Sequence, residues 1–257
     1  MRFSGLTERG FGMMAVAGAN FDPALLPAPT TLHFRYEDTL AKAAIEAVRR
    51  ARLVSYVERG ILPPSALRAP EHYRDTRDEH CVHLILHRGN CLLGAIRCQF
   101  HRKSPNAADP QPLFREMMER SELAESDILH IHQLMESETG NSHTYCETSG
   151  WLSNPDLRKN TSLGMILPAA VWGLGGSLSE YHGISTMRAS NKAAAVLAHL
   201  GGETIRHEGR ELRFEDPFYR GPVQLMRMHS RQYHPDIALS VQACGKSIQE
   251  GGVLTSA

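Results

Sequence analysis

The sequence predicts a mixed α/β domain, because segments with strand patterns alternate with segments with helix patterns. The central stretch, residues 144–164, begins as an extended run rich in Thr, Tyr and Trp, turns at Asn154 and continues as a basic loop of small residues. An apolar helix is predicted at residues 165–175. Paired apolar segments within residues 82–100 and 203–228 predict two β-hairpins. The chain therefore combines a sheet with several helices.

Four other segments have helical or ambiguous patterns. Residues 36–56 carry apolar side chains at helical spacing, and residues 113–124 and 191–200 predict two shorter helices. In residues 128–135 the alternation of side chains favours a strand, although the acidic residues that follow are also compatible with a helix. We predict a strand for this segment.

The chain is organised as one folded domain between two looser ends. Residues 1–31 are rich in Gly, Ala and Pro without clear periodicity, which predicts a loose N-terminal arm. Residues 32–231 contain the predicted strands and helices. Residues 232–257 contain one short apolar run and a Gly-Gly pair, so we expect a partly disordered C-terminal tail.

Composition excludes some classes of partner and indicates a compartment. Lys and Arg total 28, as do Asp and Glu, so the chain has no basic surplus for nucleic acid or an anionic membrane. The weakly apolar run at residues 10–19 is far shorter than the roughly 20 residues of a membrane span. Five cysteines without a C-x-x-C spacing predict inert core thiols in a reducing compartment, and hence a cytoplasmic protein.

The loop before the apolar helix has the chemistry of an anion site. A helix start presents unpaired backbone N–H groups and the positive end of its dipole. Arg158 and Lys159 add positive charge, and Thr161 and Ser162 can cap the helix or donate to a phosphate oxygen. An ordinary capped helix remains the alternative interpretation.

The order of these elements resembles the GNAT acyltransferase superfamily. The strand, turn, loop and helix of residues 144–175 precede a strand at 184–188 and a helix at 191–200 that ends in Gly201-Gly202. The resemblance implies a GNAT-type twisted sheet of about seven strands, mixed but largely antiparallel and flanked by helices. It also implies acyl-CoA or an acyl carrier protein (acyl-ACP) as co-substrate, with no prosthetic group.

The phosphate loop of that family carries Gln or Arg, two residues, Gly, one residue, then Gly or Ala. Arg158 fits the first position, whereas Thr161 and Leu163 stand where the two small residues are expected. The resemblance places the donor on the strand and on the loop, at Ser149, Trp151, Arg158, Lys159, Asn160, Thr161, Ser162 and Gly164.

An upstream block is similar to the N-acyl amino acid synthases and acyl-homoserine-lactone synthases. Residues 50–60 resemble their arginine-rich helix end, Asp75 and Asp78 stand at the place of their acidic pair, and the segment ending in Arg97 resembles their third strand. This implies transfer of an acyl group, in this branch a fatty acyl group, to the amine of an amino acid or similar small acceptor by direct attack. It is also compatible with a homodimer.

Three alternatives remain open at the level of sequence. A short-chain acetyl-CoA N-acetyltransferase would lack a deep apolar tunnel, and a homoserine-lactone synthase would use S-adenosylmethionine as acceptor. A non-catalytic GNAT fold would bind acyl thioesters or a protein partner without turnover.

Glu147 is the candidate general base, because it precedes Arg158 by eleven residues, the offset at which several GNAT enzymes keep a strand glutamate. An amine must lose its proton before it attacks a thioester, and a nearby carboxylate accepts that proton. Backbone amides around Ser149 to Leu152 would hold the oxyanion, and Gly150 leaves room for a bulge there. A glutamate on an exposed strand face, or one bound to a structural arginine, is the alternative.

Three further side chains complete the candidate site. The family's usual acid, a Tyr, is absent from residues 191–200, and His199 is the nearest titratable group. Arg52 and Arg97 are candidates for binding an acceptor carboxylate, since a guanidinium suits it as a bidentate donor; pairing of Arg97 with Asp78 or Glu147 is the alternative. Spacings such as His80-x-x-His83 lack the compact Cys/His/Glu set of a zinc site, so no metal is predicted.

Overall fold

The computed structural model of the chain describes residues 30–34, 39–79, 81–88, 91–102, 123–139, 144–154, 161–177, 181–189 and 192–249. The helices in these segments are α1 (Thr39–Glu58), α2 (Glu125–Thr139), α3 (Thr161–Ser177), α4 (Lys192–His199) and α5 (Ala238–Gln249). The strands are β1 (Thr30–Phe34), β2 (Val82–Arg88), β3 (Cys91–Arg102), β4 (Thr144–Ser153), β5 (His182–Arg188), β6 (Glu203–Thr204), β7 (Arg206–His207), β8 (Arg210–Glu211), β9 (Arg213–Asp216) and β10 (Gly221–His229).

The chain divides into two compact units. The first contains Met1–Gln99, Ser149–Leu178 and Pro235–Ala257, and the second contains Phe100–Thr148 and Ser179–His234. Strands β3 and β4 therefore each contribute residues to both units.

The main sheet is mixed and mostly antiparallel, as predicted. Its strand order is β1-β2-β3-β4 through the first unit and β4-β5-β10-β6 through the second, with β9 also paired to β10. The pairs β1–β2, β2–β3 and β5–β10 are antiparallel, whereas β4 and β5 are parallel from Tyr145 to Thr148. The two predicted hairpins are confirmed in outline, because β2 pairs with β3 and β9 pairs with β10.

Each unit has its own apolar core. In the first, Ala44, Ile45 and Val48 form one face of α1, because residues three or four apart lie on the same side of a helix. This face packs against strand residues of β2, β3 and β4, namely Ile85, Leu92, Ala95 and Leu152. In the second unit, Ile131 of α2 packs with residues of β5, β9 and β10, including Ile184, Phe214 and Leu225.

The predicted strand at residues 128–135 is wrong, because these residues belong to α2. Ile128, Ile131 and Leu134 follow helical spacing and pack toward the core of the second unit. Leu129, which the alternating pattern would place with Ile131, is 56% exposed. Amphipathic helical spacing therefore decides the conformation of this segment. Of the helix predicted at residues 113–124, residues 113–122 lie outside the described residues, and residues 123 and 124 precede α2 without regular structure.

The expected partial disorder after Gln232 is also wrong for residues 235–249. A short 310 turn, Pro235–Ile237, leads into α5, and the side chains of Ile237, Val241 and Cys244 are buried. Helix α5 packs closely on α3 at Gly173: a Cβ atom at that glycine would lie 2.7 Å from Cβ of Cys244. The C-terminal segment is thus part of the first unit's core.

The buried cysteines agree with the expected inert thiols. Cys81, Cys98, Cys146 and Cys244 are buried, and none of them is in a disulfide. Burial raises the pKa of Cys81 and of Cys244 to about 12, so both remain protonated near neutral pH. Within the described helices, none is both long and apolar enough to cross a membrane.

Candidate active site

Glu147 lies in the middle of β4 and is 2% exposed. In the parallel pairing of β4 with β5 it stands beside Ile184. Neighbouring residues at the same level of a sheet point to the same face. Since Ile184 packs with Ile131, Glu147 faces the side of the sheet that α2 covers. The predicted base is therefore an interior carboxylate, and the exposed-strand alternative is excluded.

A second carboxylate, Asp78, is the centre of a buried ionic group in the first unit. Asp78 is 0% exposed and contacts three guanidinium groups. Arg49 Nε donates to it at 3.0 Å, Arg52 Nη1 at 3.1 Å and Arg97 Nη1 at 2.7 Å. Burial by itself would raise the pKa of Asp78, but the charges of Arg52 and Arg97 lower it to about 2. We call Arg49, Arg52, Asp75, Asp78 and Arg97 the arginine cluster.

Every nitrogen of the Arg97 guanidinium is used within the arginine cluster. In addition to its bond to Asp78, Nη2 donates to Asp75 Oδ2 at 2.6 Å and Nε donates to Ser149 Oγ at 2.9 Å. Burial would lower the pKa of Arg97, but Asp78 and Asp75 together raise it. The structure therefore favours the alternative in which Arg97 is paired with Asp78. Its bond to Ser149 also connects β3 to β4 next to Gly150.

Arg52 is bound differently from Arg97. Its Nη1 donates to both oxygens of Asp78, at 3.1 and 3.2 Å. Its Nε and Nη2 are buried and have no hydrogen-bond partner among the described residues. These two nitrogens form one edge of the guanidinium, and they lie against Gly150 of β4.

His83 joins the arginine cluster, although sequence reasoning considered it only as a metal ligand. It lies on β2 directly opposite Arg97, and its Nε2 donates to the backbone carbonyl of Asp78 at 2.8 Å. Burial lowers the pKa of His83 to about 4, so the ring is neutral at pH 7. Arg49 was also missed, and its helical spacing of three from Arg52 is the sequence signal that places both on one side of α1. No group of three or more His, Cys, Asp or Glu that could hold a metal occurs among the described residues.

Comparison with known proteins identifies the fold. No family model matches the chain, and no curated protein matches it. A solved structure from the yellow fever mosquito, named as an arylalkylamine N-acetyltransferase 7, matches with a TM-score of 0.50 at 10% identity, over 79% of this chain and 87% of that chain. The chain has the GNAT fold.

Two structures of acyl synthases also match at low identity. An N-acyl amino acid synthase from uncultured soil microbes has a TM-score of 0.42 at 12% identity, over 79% of this chain and 92% of that chain. A CoA-dependent acyl-homoserine lactone synthase, solved with S-adenosylmethionine and isopentyl-CoA, has a TM-score of 0.46 at 13% identity, over 86% and 90% of the two chains.

The donor residues expected from the GNAT resemblance follow one another along β4 and α3. Ser149 and Trp151 flank Gly150, whose φ of +63° produces an irregularity in β4 where a bulge was expected. Helix α3 begins at Thr161, four residues earlier than predicted, so Ser162 and Gly164 belong to its first turn. Arg158, Lys159 and Asn160 lie outside the described residues.

His199, the candidate acid, is the last residue of α4 and is exposed. Its ring stacks on that of His234, with 5.1 Å between the ring centroids. An exposed position at a helix end is also what an ordinary surface histidine has. Its assignment as the general acid of a GNAT reaction stays a prediction.

Proposed function

We propose that this protein is an N-acyltransferase that moves an acyl group from an acyl thioester to the amine of an amino acid or similar small acceptor. The observation that carries the proposal is the buried carboxylate of Glu147 on β4 of a GNAT fold. A carboxylate at this position of the strand can accept the proton that the attacking amine must lose.

The reaction proceeds by direct attack. Glu147 takes a proton from the acceptor ammonium, directly or through water, and the freed nitrogen lone pair attacks the thioester carbonyl. The new C–N bond forms, the C–S bond breaks, and the thiolate leaves and takes up a proton. Backbone N–H groups near Gly150 are candidates for holding the oxyanion, because the positive φ turns the backbone out of the regular strand pattern.

The donor is assigned to the start of α3. The first backbone N–H groups of a helix have no partners within the helix and attract phosphate groups. Thr161, Ser162 and Gly164 occupy this first turn, and Arg158 and Lys159 precede it in sequence. We assign the phosphates of acyl-CoA, or the phosphopantetheine of an acyl carrier protein, to this position, and a fatty acyl chain to the donor.

The base assignment is tested with Glu147→Gln, which keeps the shape of the side chain and removes its proton affinity. With saturating acyl-CoA and amine we expect kcat to fall by about 10²- to 10⁴-fold. The assay measures release of free thiol and the mass of the amide product. Glu125→Gln is the matched control, because Glu125 is exposed at the start of α2. Equal turnover in the Glu147 variant and the control would remove the base assignment.

The donor is tested independently by thermal unfolding with free CoA and with its acetyl, octanoyl and palmitoyl thioesters. A ligand at about 100 times its Kd stabilises the folded state by roughly 2.7 kcal/mol. Stabilisation that increases with chain length supports a fatty acyl donor, whereas equal shifts for acetyl-CoA and palmitoyl-CoA favour a short-chain acetyltransferase. If none of the CoA compounds shifts unfolding, the same series on an acyl carrier protein decides whether any thioester binds.

A further inference from the structure

We propose that the Nε–Nη2 edge of Arg52, beside Gly150, is a binding site for the carboxylate of the acceptor. The inference rests on the proposed N-acyl transfer for the identity of the ligand, but the site itself is defined by contacts in the first unit. If the proposal is right, the acceptor is an amino acid or another amine that carries a carboxylate. Arg52 then binds the acceptor, whereas Arg97 holds the arginine cluster together.

The first observation is the pair of unused donors on a buried cation. Arg52 is 5% exposed, and Nε and Nη2 have no hydrogen-bond partner among the described residues. A buried charged donor without a partner costs at least as much as a lost hydrogen bond, so native proteins seldom keep one. Two such donors on the same edge call for a partner other than the described residues, and a bound anion is one that satisfies both.

The second observation is that Asp78 binds only one of the three nitrogens of the Arg52 guanidinium. The carboxylate of Asp78 is shared among Arg49, Arg52 and Arg97, and Arg52 reaches it through Nη1 alone. Arg97, by contrast, bonds Asp78, Asp75 and Ser149 through its three nitrogens. Asp78 thus fixes the orientation of Arg52 and leaves one edge of its guanidinium for another anion.

The third observation is the position of Gly150. A Cβ atom at this residue would lie 2.9 Å from Arg52 Nη2, 3.0 Å from Cζ and 3.2 Å from Nε. The nearly equal distances to Nε, Cζ and Nη2 show that the flat face of the guanidinium lies against the glycine, in the space that a side chain would occupy, so the missing Cβ at Gly150 lets Arg52 take this position. The φ of +63° also disfavours other residues at this position.

A carboxylate fits this edge better than other anions of similar size. Nε–H and one Nη2–H of a guanidinium are parallel donors, and their spacing matches the two oxygens of a planar carboxylate. Trp151, the next residue on β4, carries a further buried donor: its Nε1 has no hydrogen-bond partner among the described residues. The charge of the proposed site comes from Arg52 on α1.

The test is binding of a product analogue with and without the negative charge. N-decanoylglycine and N-decanoylglycinamide share their acyl chain and differ in the terminal carboxylate. By thermal shift and calorimetry, the wild-type protein should bind the carboxylate about 10- to 100-fold more tightly than the amide. Arg52→Lys keeps a cation beside Asp78 but removes the fork, and we expect it to lose this preference.

Arg50→Lys is the matched control, because Arg50 lies on the same helix with its side chain 64% exposed. It should keep the wild-type preference. Gly150→Ala tests the site without altering the charges, and it should weaken the carboxylate ligand more than the amide. Equal binding of the two ligands by the wild-type protein would overturn the proposal and leave a buried water as the partner of Arg52. An unchanged preference in Arg52→Lys would also overturn it.

Failure of this inference and failure of the proposed function give different results. If the protein acylates a decarboxylated amine as well as the parent amino acid, the acyltransferase stands and the carboxylate site is wrong. If no amine is acylated but carboxylate binding still depends on Arg52, the site stands and the reaction is wrong.

Discussion

Two buried aspartates, one in each unit, are held by arginine in different ways. Asp78 in the first unit is completely buried and contacts Arg49, Arg52 and Arg97. Asp127 in the second unit receives Arg210 Nη2 at 2.5 Å on both oxygens and His207 Nδ1 at 2.7 Å. The side chain of Arg210 is 51% exposed, so water can reach its remaining donors.

The comparison distinguishes a structural ion pair from an incomplete one. At Asp127 the guanidinium of Arg210 lies at the surface, and solvent can bind the N–H donors that the carboxylate does not. At Asp78 the cations are inside, and the two unused nitrogens of Arg52 are buried and have no hydrogen-bond partner among the described residues. A buried ionic group with unsatisfied donors is the kind of feature that proteins keep for binding.

The largest difference in stability between the surroundings of Asp78 and those of Asp127 is expected from the variant Asp78→Asn. Removing the charge leaves three guanidinium groups around a neutral amide, and breaking a buried pair in this way costs about 3–5 kcal/mol of unfolding free energy. Urea unfolding measures the loss. Asp127→Asn is the comparison variant, and it should lose less because Arg210 is solvated. Equal losses in the two variants would contradict the distinction.

Acid should weaken the arginine cluster over a definite range of pH. The pKa of Asp78 is lowered from 3.8 to about 2, so its contribution to stability is complete above pH 3.8 and disappears as the pH falls through 2. The shift corresponds to on the order of 2 kcal/mol. Unfolding free energies between pH 5 and pH 2 measure it, and the Asp78→Asn variant should show a shallower slope. A slope identical to that of the wild type would mean that other carboxylates are responsible.

A smaller effect on stability is expected from Gly150→Ala. Alanine at a φ of +63° is strained by about 1–2 kcal/mol, and its Cβ would press on the Arg52 guanidinium. Thermal unfolding measures the loss, and Gly209→Ala is the control. Gly209 also has a positive φ, of 79°, but a Cβ there meets nothing within 4 Å. A greater loss at Gly150 than at Gly209 isolates the contact with Arg52.

The elements were predictable where the pattern was local. The hairpin of β2 and β3 follows from two apolar runs that flank a turn, and α1 follows from its apolar stripe. Helix α5 was missed because the segment is short, has few buried apolar positions, such as Val241 and Cys244, and contains a glycine directly after Cys244. In α2 only Ile131 belongs to both the strand-like alternation and the face that packs in the core, and tertiary packing decided in favour of the helix.

The residue types of the candidate site could be predicted from the sequence, but the different hydrogen bonding of Arg52 and Arg97 could not. Charge and spacing single out Arg52, Arg97 and Asp78 as candidates for ionic chemistry. Which arginine is fully bonded depends on contacts between residues far apart in sequence, such as Arg97 with Ser149, 52 positions apart. The unused edge of Arg52 depends on the conformation of Gly150, which no residue pattern specifies.

The most direct test of the proposed acyl transfer is detection of the amide product. Octanoyl-CoA would be incubated with the protein and an equimolar mixture of the common amino acids and their decarboxylated amines, and the products identified by mass spectrometry. We predict N-octanoyl amino acids that form with the wild-type protein and the Glu125→Gln control, and that fall at least about 100-fold with Glu147→Gln. Absence of any N-acyl product from either CoA or carrier-protein thioesters, with the protein folded, would contradict the assignment of acyl transfer.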